Sequence, residues 1–273
     1  FSDGESVVMQ AASASVPNKL NLVILGDGYQ KKDLLKGGKF ERSAASVMSA
    51  FFGVEPYTTF RDRFNVYMVA YESENEGPRL ETAPESSHKT YFETYYKGGG
   101  NTYLNTSTAG QNKIFDIVKN NLGLKDNAYY RTVVILLSNT TENIGSTAYP
   151  SMTTTNKEAT GDGYASFSIA MIAANSTATG GLVRHEAGGH AFGRLGDEYE
   201  SKSYGNDLED WHAKGFYRNV TTNKSSWNWD SFIGRSGYSD VSYVWRNNYW
   251  CASPSGIMYD NNGEFNAPSR QII

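Results

Sequence analysis

Residues 184–199 have the sequence Arg184-His185-Glu186-Ala187-Gly188-Gly189-His190-Ala191-Phe192-Gly193-Arg194-Leu195-Gly196-Asp197-Glu198-Tyr199. It contains two histidines, a glutamate directly after the first of them, and an acidic pair beyond a glycine. A catalytic zinc takes about three protein ligands and keeps one position open for water, and a nearby carboxylate takes the proton of that water. These residue types predict a zinc-peptidase site with His185, His190 and Asp197 as metal ligands and Glu186 as general base.

The spacing of the two histidines differs from the usual HExxH pattern, in which they lie four residues apart on one helical face. Five residues of a regular α-helix turn about 500°, so the two rings would diverge by about 140°. A widened π-type turn removes this mismatch, and Gly188 and Gly189 tolerate such a distortion. We therefore expect a widened turn in a helix that runs from near Thr179 to about Gly193. An alternative in which Glu186 and His190, four residues apart, are the metal ligands would leave His185 without a role.

A second signal lies downstream, at Ser255-Gly256-Ile257-Met258-Tyr259. It resembles the Met-turn of metzincins, in which a methionine packs beneath the metal, and Gly193 with the acidic residue after it is similar to the extended motif of that group. The position at which that motif has its third ligand is Gly196 here. The candidates therefore shift to Asp197, which we favour, or Glu198, which would then be an outer carboxylate.

The chain resembles the IgA-peptidase-like family of bacterial zinc metallopeptidases over most of residues 19–265. The resemblance rests on the opening strand and turn at 21–29, on Glu55-Pro56-Tyr57 followed by Phe64-Asn65-Val66, and on the zinc motif itself. The extra residue between the histidines departs from the commoner form of that motif and is similar to the HExxGH variant of the dipeptidyl peptidase III family. The resemblance implies a Zn²⁺ cofactor and a protein or glycoprotein substrate, but it does not establish which one.

The sequence patterns predict an α/β fold, a metzincin-like zinc-peptidase catalytic domain with a mixed sheet and a smaller irregular C-terminal subdomain. Apolar runs predict strands at 20–25, 64–71, 132–137 and 164–173, and helical periodicity predicts helices around 40–51 and 114–122. Residues 72–108 and 138–163 have the composition of loops. We expect one catalytic domain over 1–273, with an upper part to about 194 and a lower part that supplies Asp197 and the Met-turn. In the metzincin arrangement, the strand before the zinc helix is the sheet edge that binds substrate.

Composition excludes several other classes of protein. The net charge of the 273-residue chain is −4, so nothing indicates nucleic-acid binding, and no apolar run reaches the ~20 residues of a membrane span. The single cysteine, Cys251, excludes an internal disulfide and is expected to be a small buried side chain. Abundant Tyr, Asn, Ser and Thr suit an exported bacterial protein, whether secreted, periplasmic or on the cell surface. We expect a monomer that is a mature or trimmed piece of a longer protein.

The function that follows is zinc-dependent endopeptidase activity on extracellular or host-derived proteins. Two alternatives stay open: a zinc exopeptidase, and a non-catalytic zinc-containing surface module that binds glycans or proteins through the tryptophans of the tail. A structural zinc site would need a fourth protein ligand, and no His or Cys lies near the motif in sequence apart from the distant Cys251. The segment Asp260-Asn261-Asn262-Gly263-Glu264 is faintly similar to a calcium loop, but we expect a polar turn. Asp27-Gly28, at the carboxyl end of the first apolar run, is also expected to be a turn, with an active-site role as the alternative.

Overall fold

The computed structural model describes residues 1–124, 128, 131–149, 168–199, 208–213, 215–221, 250–252 and 255–273, and side chains are described for these except at 208–210 and 250. The strands are β1 (Ser6–Gln10), β2 (Leu20–Asp27), β3 (Phe64–Val69), β4 (Arg79–Leu80), β5 (Thr94–Gly98), β6 (Asn101–Thr106), β7 (Thr132–Ser138), β8 (Gly145–Ala148), β9 (Ser168–Ala173), β10 (Val220–Thr221) and β11 (Trp250–Cys251). The helices are α1 (Lys39–Phe52), α2 (Thr108–Asp116), α3 (Thr179–Leu182), α4 (Leu208–Ala213), α5 (Ile257–Asp260) and α6 (Ala267–Ile272). Two π-helical segments, Ile117–Asn121 and Val183–Phe192, continue α2 and α3. None of these helices is long and apolar enough to cross a membrane.

The main sheet has six strands in the order β1-β3-β2-β7-β9-β8 within the described part of the chain. The four inner strands are parallel, and an antiparallel strand closes each edge. Apolar side chains of the inner strands alternate between the two faces, as the period of a strand requires. Leu22 and Ile24 belong to one core cluster, while Val23 and Leu25 belong to the other. A mixed α/β fold with helices and a mixed sheet is therefore confirmed.

The two faces of the sheet carry different layers. On one face, α1 and the helix at residues 179–192, called here the motif helix, pack with α5 over the sheet. On the other face, α2 packs with Phe92 and Leu104, which belong to the segment between β3 and α2. That segment, expected to be a polar excursion, forms a second sheet of three strands in the order β4-β5-β6.

The expected position of the strand before the motif helix is wrong. Strand β9 is an inner strand between β7 and β8, and the edge strand is β8. The physical reason is burial, because all six residues of β9 are buried, as in a strand with neighbours on both sides. The edge strand has the sequence Gly-Ser-Thr-Ala, which has no apolar run and is indistinguishable from a turn in sequence. Residues 164–167 of the expected strand lie outside the described residues.

Candidate active site

The motif helix contains the widened turn that the spacing of its histidines predicts. Its first turn, Thr179–Leu182, is α-helical, and Val183–Phe192 is a π-helix. Hydrogen bonds of a π-helix join residues five apart, so residues at that separation lie on one side of it. The Nε2 atoms of His185 and His190 are 3.0 Å apart. The prediction that both imidazoles face one side is confirmed.

The two glycines between the histidines are required by space. A Cβ atom on Gly189 would lie 2.1 Å from the Sδ atom of Met258, and one on Gly188 would lie 3.0 Å from Cε2 of Tyr57. Neither glycine has a positive φ, so the backbone of the widened turn does not demand glycine. Glycine is therefore favoured at both positions by the packing beneath the helix and not by the backbone conformation that the sequence led us to expect. Met258 lies buried in α5 directly against the motif helix, as expected of the Met-turn.

Two backbone carbonyls fix the tautomer of the histidines. The Nδ1 atom of His185 lies 2.8 Å from the carbonyl oxygen of Ile257, and Nδ1 of His190 lies 2.7 Å from that of Leu195. A carbonyl oxygen only accepts, so each Nδ1 carries a proton and donates it. In a neutral imidazole the lone pair is then on Nε2, and both Nε2 atoms face Oδ1 of Asp197, at 2.9 and 3.1 Å.

The three side chains fit a metal ion. Their ligand atoms all lie within 4.8 Å of one another, and all three residues are buried. Zinc–nitrogen bonds of about 2.0–2.1 Å in a tetrahedron place ligand atoms about 3.3 Å apart, close to the separations here. Two lone pairs and a carboxylate that converge in a buried site need a cation between them. The donor set of two nitrogens and one oxygen is one that zinc accepts.

The electrostatics of the cluster show the same demand for positive charge. Burial lowers the pKa of His190, but the charge of Asp197 and its hydrogen bond outweigh this effect and raise the pKa to about 9. Burial raises the pKa of Asp197, but His190 and His185 together hold it well below its usual range. Without a metal, the cluster therefore retains a proton where a cation would bind.

The structure brings Asp197, and not Glu198, to the histidines. Glu198 is 1% exposed and accepts hydrogen bonds from Nδ2 of Asn219 at 2.9 Å and from Nδ2 of Asn266 at 2.8 and 2.9 Å. Its backbone N–H donates to the carbonyl oxygen of Met258 at 2.8 Å. Burial raises the pKa of Glu198 to about 7 despite these donors. Glu198, the residue after Asp197, thus joins this part of the chain to Met258 and to the start of α6.

The carboxylate of Glu186 lies beside the edge strand. Its Oε2 atom accepts a hydrogen bond of 2.8 Å from Oγ1 of Thr147 in β8. Glu186, His190 and Asp197 line a cleft of about 480 Å³ that β8 borders on one side. Four tyrosines complete the walls of this cleft: Tyr103, Tyr149, Tyr199 and Tyr217. Tyr199 ends the zinc-motif stretch but was given no role there, and the other three tyrosines and Thr147 could not be found from the sequence because each is a single residue in a segment with no motif.

The other residues singled out in the sequence, Asp27, Asp260 and Cys251, are held in turns or in the core and do not line the active-site cleft. Asp27 is fully buried and accepts hydrogen bonds from Ser73, Thr90, Phe92 and Thr94, so it fastens the second sheet to the end of β2. Asp260 accepts from the backbone of Asn262 within a turn. Cys251 is buried, as expected.

The tryptophans of the C-terminal tail fall only in part within the described residues. Trp227, Trp229 and Trp245 lie outside the described residues, as does the side chain of Trp250. Trp211 is described, and its ring packs against Phe216 at 5.4 Å and Tyr217 at 5.1 Å. This one tryptophan therefore belongs to a packed aromatic group.

Comparison with known proteins supplies the family. A search of curated proteins found no match. The family model described as IgA Peptidase M64 matches residues 8–249, a span that begins in β1, includes the motif helix and Asp197, and ends before Met258. The two histidines five apart are therefore part of a metallopeptidase domain, and the chain belongs to the IgA peptidase M64 family.

Proposed function

We propose that the protein is a zinc-dependent endopeptidase with a metzincin-like catalytic domain. The observation that carries this proposal is the convergence of two Nε2 atoms and one carboxylate oxygen on one point, beside a second carboxylate. In the described part of the chain, three residues form this group, and the group opens on the cleft. Three ligands with an open side are typical of catalytic zinc, whereas structural zinc has four protein ligands.

In this proposal, three residues bind the metal and Glu186 transfers the proton. His185, His190 and Asp197 would hold the metal, which when bound lowers the pKa of a coordinated water and polarises the scissile carbonyl group. Glu186 follows His185 in the motif helix and lines the same cleft, so it is placed to accept the proton of the attacking water. The same carboxyl group then passes that proton to the leaving amine.

Strand β8 supports extended binding of the substrate. Among the described strands it pairs with β9 alone, and a peptide can add to a free edge through main-chain hydrogen bonds. The carbonyl of Ile144 accepts from the N–H of Ala173 in β9, and backbone groups alternate in direction along an antiparallel strand. The groups of Gly145 and Thr147 therefore point to the free edge. We propose that this edge takes the role we had expected of β9.

Endopeptidase action is favoured over exopeptidase action by the space beyond the amino end of β8. A second cavity, of about 430 Å³, is lined by Asn143 and Ile144 together with the β5–β6 turn. It shares Thr102 with the active-site cleft. Because the two cavities adjoin at this residue, we propose that a peptide continues past the scissile bond there. An exopeptidase would need a closed end that binds a chain terminus.

The wider setting also belongs to the proposal. We propose one catalytic domain, with an upper part to residue 194 and a lower part that contributes Asp197 and Met258. We further propose that the protein is exported and monomeric and acts on extracellular or host-derived proteins or glycoproteins. Its content of Tyr, Asn, Ser and Thr supports export.

The test is cleavage of a broad peptide library and of glycoproteins by the wild type and by Glu186→Gln, with the metal content of both measured. We expect cleavage within the peptides by the wild type, and a loss of about 10²–10⁴-fold in the variant with an unchanged zinc content. Release of single residues or dipeptides from chain ends would indicate an exopeptidase. Zinc-loaded wild type that cleaves nothing would favour a binding module instead.

A further inference from the structure

Thr147 carries an inference about how the general base is held, and it rests on the proposed function. The residue lies in the edge strand β8, and its Oγ1 atom is 2.8 Å from Oε2 and 3.0 Å from the backbone carbonyl oxygen of Glu186. Both contacts lead to one residue, although Thr147 and Glu186 are 39 positions apart in the sequence. Among the described residues, Thr147 is the donor seen on the Glu186 carboxylate.

A second residue of β8, Gly145, also lies beside the side chain of Glu186. Gly145 lies on the same face of β8 as Thr147, because it is two residues away. A Cβ atom at Gly145 would lie 3.4 Å from Cγ of Glu186, in ordinary van der Waals contact. A side chain at position 145 would therefore touch the stem of Glu186, whose carboxylate is bonded to Thr147.

The backbone of Thr147 also faces the proposed substrate position. Because backbone groups alternate in direction along β8, its N–H and C=O groups point to the free edge at which a substrate strand would pair. The same residue thus meets substrate with its main chain and the base with its side chain. We propose that Thr147 is a positioning residue, which aligns the Glu186 carboxylate with a peptide bound along β8.

The chemistry of the hydroxyl makes this role specific. A Thr hydroxyl donates one hydrogen bond, and a bond to an ionised carboxylate is stronger than one to a neutral carbonyl. The donated bond occupies Oε2 and leaves Oε1 to take the proton of the attacking water. Alignment of a reacting group matters for rate, because a small misplacement of that group lowers it steeply.

The test compares Thr147→Val and Thr147→Ser with the wild type. Valine keeps the shape and the β-branch of threonine but removes the hydroxyl, whereas serine keeps the hydroxyl. Thr59→Val is the control, because Thr59 is exposed and does not line the cleft. We expect Thr147→Val to lower kcat on the order of 10–100-fold, as is typical for partners that orient active-site groups. KM should change by less than about threefold, and Thr147→Ser should recover most of kcat.

Two further measurements separate this proposal from a merely structural role. Zinc content and Tm of Thr147→Val should match those of Thr59→Val. A crystal structure of metal-free Thr147→Val should show the Glu186 carboxylate displaced from its position in the wild type. A rise in KM with unchanged kcat, a failure of serine to restore activity, or an undisplaced carboxylate would overturn the proposal. An inactive wild type would instead refute the endopeptidase function.

Discussion

Gly189→Ala tests the packing that supports the widened turn. The added Cβ would lie 2.1 Å from Sδ and 2.9 Å from Cε of Met258, whereas non-bonded heavy atoms rest about 3.5–4.0 Å apart. Met258 is 2% exposed, so its side chain has to move by more than about 1 Å within a packed core. Such overpacking costs about 1–3 kcal/mol, and the large overlap puts this site at the upper end.

The intrinsic preference for alanine partly offsets this cost. Alanine is favoured over glycine inside a helix by about 0.5–1 kcal/mol, so the net destabilisation should be about 2–2.5 kcal/mol. For a chain of this size that lowers Tm by about 4–10 °C. The control is Gly180→Ala in the same helix, where a Cβ would meet nothing within 4 Å. That variant should instead gain about 0.5–1 kcal/mol.

The assay is thermal and urea unfolding of both variants, together with zinc affinity by competition with a chelator. We expect Gly189→Ala to lose zinc affinity as well, because the strain falls between the two histidines. In a double-mutant cycle with Met258→Ala, the penalty of Gly189→Ala should shrink by about 1–3 kcal/mol, since the two sites are in contact. Equal stability of Gly189→Ala and Gly180→Ala, or simple additivity in the cycle, would refute the packing argument.

Three other predictions concern buried ionisable side chains. Glu198→Ala should lower stability by about 1–3 kcal/mol and weaken zinc binding, because Asn219 and Asn266 lose their acceptor; an unchanged Tm would contradict this. Zinc binding should release about one proton at pH 7, because His190 has a pKa raised to about 9 in the metal-free protein, and the zinc affinity should therefore fall as pH falls. Calorimetry in two buffers of different ionisation enthalpy measures the released proton, and equal heats of binding in the two buffers would argue against it. The same raised pKa stabilises the metal-free fold fully below pH ~6.5, an effect that is lost as pH rises through about 9. Asp27→Asn should cost about 1–3 kcal/mol in urea unfolding, because its amide nitrogen would oppose a backbone N–H of Phe92 or Thr94, whereas exposed Asp62→Asn should be neutral.

Residues close together in the sequence made much of this site predictable. The spacing of His185 and His190 required either a wide turn or diverging rings, and the structure has the wide turn. The apolar runs of β2 and β7 and the helical period of α1 are strong local signals, and all three elements are present. The expectation that Asp197 lies near the histidines came from the likeness to the extended zinc motif, which left Glu198 as the other candidate.

What could not be predicted depends on contacts between distant segments. Strand β8 has four residues with no apolar pattern, and it is defined by pairing with β9, not by its own composition. The bond from Thr147 to Glu186 joins residues 39 positions apart. Asn219 and Asn266 reach Glu198 from separations of 21 and 68 residues. No local propensity encodes such pairs.

The most direct measurement of the central claim is anomalous diffraction at the zinc edge from crystals of the purified protein. We expect one strong peak about 2.0–2.2 Å from Nε2 of His185, Nε2 of His190 and a carboxylate oxygen of Asp197. The same crystals of His190→Ala should lack it. No peak at this position in zinc-replete protein, or a peak bound through Glu198 in place of Asp197, would contradict the site as we have assigned it.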